Sequence, residues 1–269
     1  MGNLERRARM HAALGEPVRL RMVDHLVLGD ASPGELGRLV NLPTNLLAHH
    51  LKVLDDAGLV RRVRSEGDRR RSYVQLILDD PAVAALVSPD VAGRAERTRH
   101  ADRVVFVCTH NSARSQLAAA AWARASAVPA ASAGTHPARR VHPRAVRVGR
   151  RHGLRLTGAR TAHLDDVVRP GDLLVAVCDN AHEELPDTTG LPRLHWSVPD
   201  PARTDSDAAF EAAYDQITER VVGVGRGRVR HGPVQVSKLR RQRCVGQFLV
   251  GVVADGDDQV AGPDDVIDA

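Results

Sequence analysis

A reactive thiol is predicted at Cys108, in the run Cys108-Thr109-His110-Asn111-Ser112-Ala113-Arg114-Ser115. An apolar strand precedes this run and a helix follows from Ser115, so the loop between them can wrap its backbone N–H groups around a tetrahedral oxyanion. Arg114 can clamp two oxygens of such an ion, and the positive potential of the helix N-terminus favours the thiolate form of Cys108. The loop is therefore predicted to combine a nucleophile with an anion site; the alternative is a buried structural cysteine.

Other residues of this loop have predicted supporting roles. Ser115 can donate a hydrogen bond to the thiolate, and Asn111 can adopt the left-handed backbone conformation that a tight loop requires. The residues predicted to surround the bound oxyanion are Thr109, His110, Asn111, Ser112 and Ala113.

The chain has three cysteines, at positions 108, 178 and 244. Their odd number and wide spacing do not form a disulfide framework and suit a reducing compartment. Cys178 follows the apolar strand LLVAV, so a parallel sheet would place it at the same edge as Cys108. Cys178 is interpreted either as a second, resolving thiol or as a buried core thiol, and Cys244 is given no role.

The elements around Cys108 alternate between strand and helix. Apolar strands are predicted at 104–107, near Ala131 and at 173–177, with helices from Ser115, after His142 and from Asp207 to Val221. Continuous apolar strands between helices are typical of a parallel sheet that is covered on both faces. This pattern predicts an α/β domain with its ligand site beyond the carboxyl ends of the strands.

The first 80 residues show a different pattern. Helical spacing predicts two helices in 4–28, a third through Val40 and a fourth from Thr44 to Asp56, followed by a β-hairpin with six arginines and two acidic residues between 61 and 71. A helix-turn-helix followed by a basic hairpin indicates a winged helix that binds DNA, and the alternative is a solvated charged hairpin. The predicted DNA contacts are Thr44, Asn45, His49, His50 and Lys52 in the fourth helix, and Arg69, Arg70 and Arg71 in the hairpin.

Composition adds few constraints. The formal charge of +5 and pI near 9.7 permit polyanion binding but do not establish it. No apolar run approaches the roughly 20 residues that span a bilayer, and the first residues do not resemble a secretory signal, so a cytoplasmic protein without a membrane partner is expected.

Adjacent His49 and His50 would point about 100° apart on a helix, so no metal site is predicted there.

The N-terminal segment resembles the ArsR-type winged helices, through LGEPVRLRMVDHL, SPGELGRLVNLPTNLLAHHLKVLDDAGLV and RSEGDRRRSYVQL. The resemblance implies a homodimer that binds a palindromic double-stranded DNA operator and represses until a ligand binds. Residues 1–107 contain no cysteine, so arsenite sensing by thiolates within this domain is not expected.

Residues 103–222 resemble the low-molecular-weight protein tyrosine phosphatase superfamily, which includes arsenate reductases, through VVFVCTHNSARSQLAAA, SAGTHP and SVPDPAR. The resemblance implies a four-stranded parallel sheet, with Cys108 as nucleophile, Arg114 as oxyanion clamp and Asp200 as general acid. Without the resemblance, Asp200 before Pro201 would be interpreted as a turn residue.

Three functions are compatible with this organisation. The main hypothesis is a transcriptional regulator fused to an arsenate reductase, with no bound cofactor and with thiol from Cys178 or from an external donor, thioredoxin or mycothiol with a redoxin. The further cysteine of three-cysteine reductases is replaced by Leu185. The alternatives are a phosphatase fused to a DNA-binding domain and a sensor that binds an oxyanion or oxidises without turnover.

The predicted fold class is two-domain: an α+β winged helix-turn-helix, then an α/β domain with a parallel four-stranded sheet. The predicted boundaries are 1–80 for the DNA-binding domain, 81–101 for a linker, 102–222 for the phosphatase-like domain and 223–269 for a mostly disordered tail.

Overall fold

The computed structural model describes residues 2–87, 101–185 and 190–225. The greater part of the predicted linker and of the predicted tail, with Cys244, lies outside the described residues. Within the described part of the chain, no helix is both long and apolar enough to cross a membrane.

Residues 2–87 form a winged helix. The helices are α1 (Asn3–Leu14), α2 (Pro17–Leu26), α3 (Pro33–Val40), α4 (Thr44–Asp56) and α5 (Pro81–Leu86), and the strands are β1 (Val60–Arg64) and β2 (Ser72–Leu76). The two strands pair antiparallel, with Val60 opposite Leu76 and Arg64 opposite Ser72. We call the hairpin segment from Arg64 to Ser72 the wing.

Local sequence sets the ends of the helix-turn-helix. The Ser32 hydroxyl accepts a hydrogen bond from the Glu35 amide while the Glu35 carboxylate accepts one from the Ser32 amide, and Pro33 occupies the first turn, so α3 has a complete capping box. Asn41 ends α3 with a φ of 53°, in the left-handed conformation that stops a helix. α4 then starts at Thr44 after Pro43.

The second part is an α/β layer structure. Its strands are β3 (Arg103–Cys108), β4 (Ala130–Gly134), β5 (Asp172–Ala176) and β6 (Arg193–His195), all parallel in the order β4-β3-β5-β6. Its helices are α6 (Arg114–Ala125), α7 (Pro143–Arg151), α8 (Leu164–Val167), α9 (Asp179–Glu184) and α10 (Asp207–Gly225). This confirms the predicted fold class.

The structure differs from the sequence-based elements at several places. α5 lies in the predicted linker, yet Val83 and Val87 are buried in the winged-helix core, so the described start of that segment belongs to the first domain. α10 reaches Gly225 rather than Val221, and Val224 is still buried against the sheet domain. β6 and α9 were not predicted individually, because each spans only 3 or 6 residues and periodicity needs a longer window.

The two domains pack directly against each other. Asp30, which follows α2, is buried and pairs with Arg220 of α10 at 2.9 Å. The Asp30 carboxylate also accepts hydrogen bonds from the Ser197 amide (2.7 Å) and from the Gln75 side chain (2.8 Å). The Trp196 indole donates to the carbonyl of Leu28 at 3.0 Å. The described residues of both domains therefore share one buried polar network.

Candidate functional site

The loop after Cys108 lies at the carboxyl end of the central strand. Cys108 is the last residue of β3, and residues 109–113 lead directly into α6. Three loop carbonyls accept hydrogen bonds from the backbone of the 136–142 segment. The pairs are Thr109 with His136, His110 with Ala138, and Ser112 with His142, at 2.8 to 2.9 Å. These three carbonyl oxygens already accept hydrogen bonds from the protein. The backbone groups that the loop can offer to an oxyanion are therefore its N–H groups.

Gly134 lets the neighbouring strand approach this loop. It ends β4, and a Cβ atom at this position would lie 2.8 Å from the Thr109 carbonyl and 3.0 Å from the Asn111 amide nitrogen. Backbone atoms cannot yield to such a contact without moving the loop. A residue without a side chain is therefore required here for the loop to keep its shape.

The Cys108 sulfur is buried and receives hydrogen bonds from two sides. The Asn111 amide donates to it at 3.2 Å, and the Ser115 hydroxyl oxygen lies 3.1 Å away. The Asn111 side-chain NH₂ donates to that hydroxyl oxygen at 2.8 Å, so the Ser115 proton is available for the sulfur. Asn111 has a φ of 48°, the left-handed conformation expected for it. The network therefore places an amide N–H and a hydroxyl within hydrogen-bond distance of the sulfur.

Arg114 is buried at the first turn of α6, with 6% of its surface exposed. Its Nη1 donates to the Val198 carbonyl at 2.9 Å, and its Nη2 lies 3.3 Å from Asp200 Oδ1. Burial opposes the charged guanidinium, but the neighbouring thiols and carboxylates outweigh it and hold the pKa of Arg114 above its ordinary value. Arg114 is thus a fixed positive charge beside the loop.

A cavity of about 210 Å³ opens onto Arg114. It is lined by Glu66, Thr109, His110, Arg114, Cys178, Asn180, Asp200 and Arg203. Asp200, predicted as the general acid, therefore lies in the same cavity as the predicted oxyanion clamp. In the described part of the chain, no group of three or more His, Cys, Asp and Glu side chains is arranged to hold a metal ion.

Cys178 lies beside the loop of Cys108. Val107 of β3 pairs with Ala176 of β5, so Cys108 at the end of β3 and Cys178 just after β5 lie at the same edge of the parallel sheet. The Cys178 sulfur lies 3.6 Å from the Thr109 hydroxyl and receives the Ala181 amide at 3.5 Å. Both cysteines are free thiols, and burial raises the pKa of Cys178 to about 11. Leu185, which stands at the position expected for the further cysteine of three-cysteine reductases, is buried.

Three residues of the cavity were not singled out by the sequence analysis: Glu66 of the wing, Asn180 of α9 and Arg203 after Asp200. Glu66 Oε2 accepts a hydrogen bond from the Asp200 amide at 2.9 Å and lies 3.5 Å from Arg114 Nη1. Arg203 Nη1 lies 3.7 Å from Glu66 Oε1. No sequence pattern signals these contacts, because they join segments 48 to 137 positions apart.

The predicted DNA-binding residues lie on α4 and the wing. Thr44, Asn45, His49 and Lys52 are exposed, and so are Arg69, Arg70 and Arg71. His50 is only partly exposed, since its Nδ1 lies 3.5 Å from the Glu16 carboxylate, which favours a packing role for this residue. Lys52 pairs with Asp56 on the same helix at 3.0 Å. The structure thus leaves four of the five predicted contact residues of α4, and the three predicted arginines of the wing, exposed to solvent.

Two family models match this chain. One describes the low molecular weight phosphotyrosine protein phosphatase family and matches residues 103–226, and the other describes a helix-turn-helix domain and matches residues 14–63. Both resemblances inferred from the sequence are confirmed by these matches.

Individual relatives match the second domain. An arsenate reductase from Brevibacillus brevis is 34% identical over 123 residues, which are 44% of this chain and 90% of the relative. An arsenate reductase from Bacillus subtilis is 31% identical over 128 residues, covering 44% of this chain and 91% of the relative. A crystal structure of an arsenate reductase from Archaeoglobus fulgidus is 31% identical, with 45% of this chain and 98% of that chain covered and a TM-score of 0.41.

The family model spans the strand, the loop of Cys108, the Asp200 segment and α10, and the curated relatives are matched over nine-tenths of their length. This chain therefore belongs to the low-molecular-weight phosphotyrosine protein phosphatase family, with a helix-turn-helix domain joined to its N-terminal side.

Proposed function

We propose that the second domain reduces arsenate to arsenite with Cys108 as the nucleophile. The observation that carries this proposal is a thiol beside the predicted oxyanion clamp, because Cys178 and Arg114 line the same 210 Å³ space, and Cys108 comes directly before Thr109, which lines it too. A phosphatase needs no second sulfur, since water resolves its phosphoenzyme. The named activity of the relatives from Brevibacillus brevis and Bacillus subtilis supports the same choice.

In the first step, the Cys108 thiolate attacks the arsenic of arsenate and forms an S–As bond. One arsenate oxygen leaves as water after protonation by Asp200, and Arg114 with the loop N–H groups stabilises the charge on the remaining oxygens. In the second step, another thiolate attacks the Cys108 sulfur. The electron pair of the S–As bond passes to arsenic, so arsenic(V) becomes arsenic(III) and the two sulfurs form a disulfide.

The second sulfur has two possible sources. Cys178 lies at the same edge, but because its pKa is raised to about 11 it must lose a proton as it attacks. The alternative is an external thiol, either thioredoxin or mycothiol with a redoxin, and such a donor is in any case needed to reduce the disulfide for the next turnover. The chain is proposed to act without a bound cofactor.

The first domain is proposed to bind a double-stranded DNA operator as a homodimer, so that the protein is a transcriptional regulator of arsenic response. Exposed Thr44, Asn45 and His49 on α4 support major-groove contact, and the exposed arginines of the wing support contact with phosphates. The homodimer and the palindromic operator follow from the ArsR-type resemblance. The oligomeric state is measured by sedimentation equilibrium, where a monomer would contradict this part of the proposal.

A phosphatase is the second candidate function. It would use Asp200, whose carboxyl group lies 3.3 Å from Arg114, to protonate the leaving oxygen of a phosphate ester, and it would need no second thiol. A third candidate, a sensor without turnover, needs only the anion site and the thiols.

These functions are separated by two assays on one preparation of the full chain. Arsenite formation is followed with a thioredoxin or mycothiol recycling system, and hydrolysis of p-nitrophenyl phosphate is followed beside it. Arsenite formation that exceeds ester hydrolysis supports the reductase. Sustained ester hydrolysis without arsenite identifies a phosphatase, and neither activity, with phosphate still bound, identifies a sensor.

A further inference from the structure

Glu66 brings a carboxylate from the DNA-binding domain into the oxyanion cavity. Its side chain is about one-quarter exposed, and its oxygens contact the Asp200 amide at 2.9 Å, Arg114 Nη1 at 3.5 Å and Arg203 Nη1 at 3.7 Å. Amide N–H groups and guanidinium groups are the donors that bind phosphate-like anions. Glu66 therefore occupies, as an internal anion, groups that an oxyanion in this cavity needs.

The wing is held in this position by contacts on both sides of Glu66. The Ser65 hydroxyl donates to Glu183 Oε1 at 2.7 Å, and the Asp68 amide donates to Glu183 Oε2 at 2.8 Å. The Glu66 amide itself donates to Asp179 Oδ2 at 2.8 Å. These contacts fix the wing on α9, so Glu66 is not a mobile surface side chain.

Gly67 permits this close approach. A Cβ atom at position 67 would lie 2.6 Å from Glu183 Oε2 and 2.7 Å from Asn180 Oδ1. A side chain there would displace two groups that line or support the cavity. The glycine of the hairpin therefore allows the wing to lie close to Asn180 and Glu183 of the second domain.

The charges around Glu66 make simultaneous occupancy unfavourable. Burial raises the pKa of Glu66 in spite of Arg114, and Asp200 and Asp179 add further negative potential. A phosphate or arsenate dianion beside Arg114 would add a third negative group at the same guanidinium, in a space of about 210 Å³. Like charges that share such a small and partly buried space repel each other strongly.

We propose that Glu66 competes with inorganic oxyanions for Arg114, so that oxyanion binding releases the wing from the second domain and connects the DNA-binding hairpin to the active site. This inference rests on the proposed role of the Cys108 loop as an oxyanion site. Coupling between two sites is reciprocal. The contact that holds the wing against the second domain therefore weakens oxyanion binding by the same factor by which oxyanion binding weakens that contact.

The test uses inorganic phosphate, which binds without turnover, and the full chain. Phosphate affinity is measured by calorimetry for the wild type, for Glu66→Gln, which keeps the shape and removes the charge, and for Asp68→Asn. Asp68 is the matched control, since it lies in the same wing and pairs with Arg70 at 3.0 Å rather than with the cavity. The expected result is about tenfold tighter phosphate binding by Glu66→Gln, within the usual range of coupling between sites, and unchanged binding by Asp68→Asn.

Hydrogen exchange of the peptide that covers residues 64–72 gives a second readout. In the wild type, phosphate is expected to speed exchange, because the Glu66 and Asp68 amides lose their carboxylate acceptors. Equal phosphate affinity in wild type and Glu66→Gln, with exchange unchanged by phosphate, would overturn the inference and leave the oxyanion site intact. Absence of phosphate binding in both proteins would refute the oxyanion site itself and the inference with it.

Discussion

Cys108 Sγ lies 3.1 Å from Ser115 Oγ, and the Asn111 side chain donates to that same oxygen at 2.8 Å. Because the hydroxyl oxygen already accepts one hydrogen bond, its own proton is available for a hydrogen bond to the sulfur. The nucleophile therefore depends on a residue of α6 as well as on its own loop.

Ser115→Ala is expected to lower the rate of arsenate reduction by about 10- to 100-fold, because a hydrogen bond to a charged group contributes roughly 1.5–3 kcal/mol. Initial rates at saturating arsenate measure the effect. Ser126→Ala, which removes a hydroxyl at the far end of α6, is the control and should keep the wild-type rate. Equal rates for Ser115→Ala and wild type would show that the thiolate does not need this donor.

The raised pKa of Cys178 predicts a loss of stability at alkaline pH. The thiol keeps its proton in the folded chain up to about pH 11, whereas in the unfolded chain it ionises near its ordinary value of 9.0. Stability from this group is complete below pH 9 and is lost as the pH rises toward 11, by roughly 2–3 kcal/mol. Urea denaturation at pH 8, 9 and 10 measures the slope. Cys178→Ala should unfold with a flatter pH dependence over this interval, and an unchanged slope would contradict the assignment.

The buried pair of Asp30 and Arg220 is expected to stabilise the contact between the two domains. Asp30→Ala leaves the guanidinium of Arg220 buried without its partner, which costs about 3–5 kcal/mol in the free energy of unfolding. Denaturant unfolding of the full chain measures the change. Lys52→Ala, which breaks an exposed pair with Asp56, is the control and should have a much smaller effect. Similar losses in both variants would contradict a special role for the buried pair.

The arginines of the wing are expected to contribute affinity for DNA that does not depend on sequence. Arg70→Ala should weaken binding to any duplex and reduce the slope of log affinity against log salt by about one, because one phosphate contact is lost. Fluorescence anisotropy over a salt series measures the affinity and its salt slope. The duplex is about 30 base pairs long, so that it exceeds one half-site spacing. Arg150→Ala, an exposed arginine of α7, is the control. Identical salt slopes for Arg70→Ala and wild type would place the DNA elsewhere.

The elements that have strong periodicity or a local motif could be predicted from the sequence. The loop from Cys108 to Ser115, the helix-turn-helix and the apolar strand LLVAV are each recognisable within a short window, and the structure has elements there. Glu66 was counted only as an acidic residue of a basic hairpin. Its position in the cavity depends on how the two domains pack, which is fixed by distant pairs such as Asp30 with Arg220 and Asp68 with Glu183. Such packing leaves no periodic signal in the chain.

The role of Cys108 as nucleophile is tested by arsenite formation from arsenate under thiol recycling, measured for the full chain and for its Cys108→Ser and Cys244→Ser variants. Both variants exchange one thiol for a hydroxyl, but Cys108 directly precedes the loop that leads to Arg114, whereas Cys244 is distant from that loop in the sequence. We expect arsenite from the wild type and from Cys244→Ser, and none above background from Cys108→Ser. Arsenite formed equally by Cys108→Ser would contradict a reductase that uses this nucleophile.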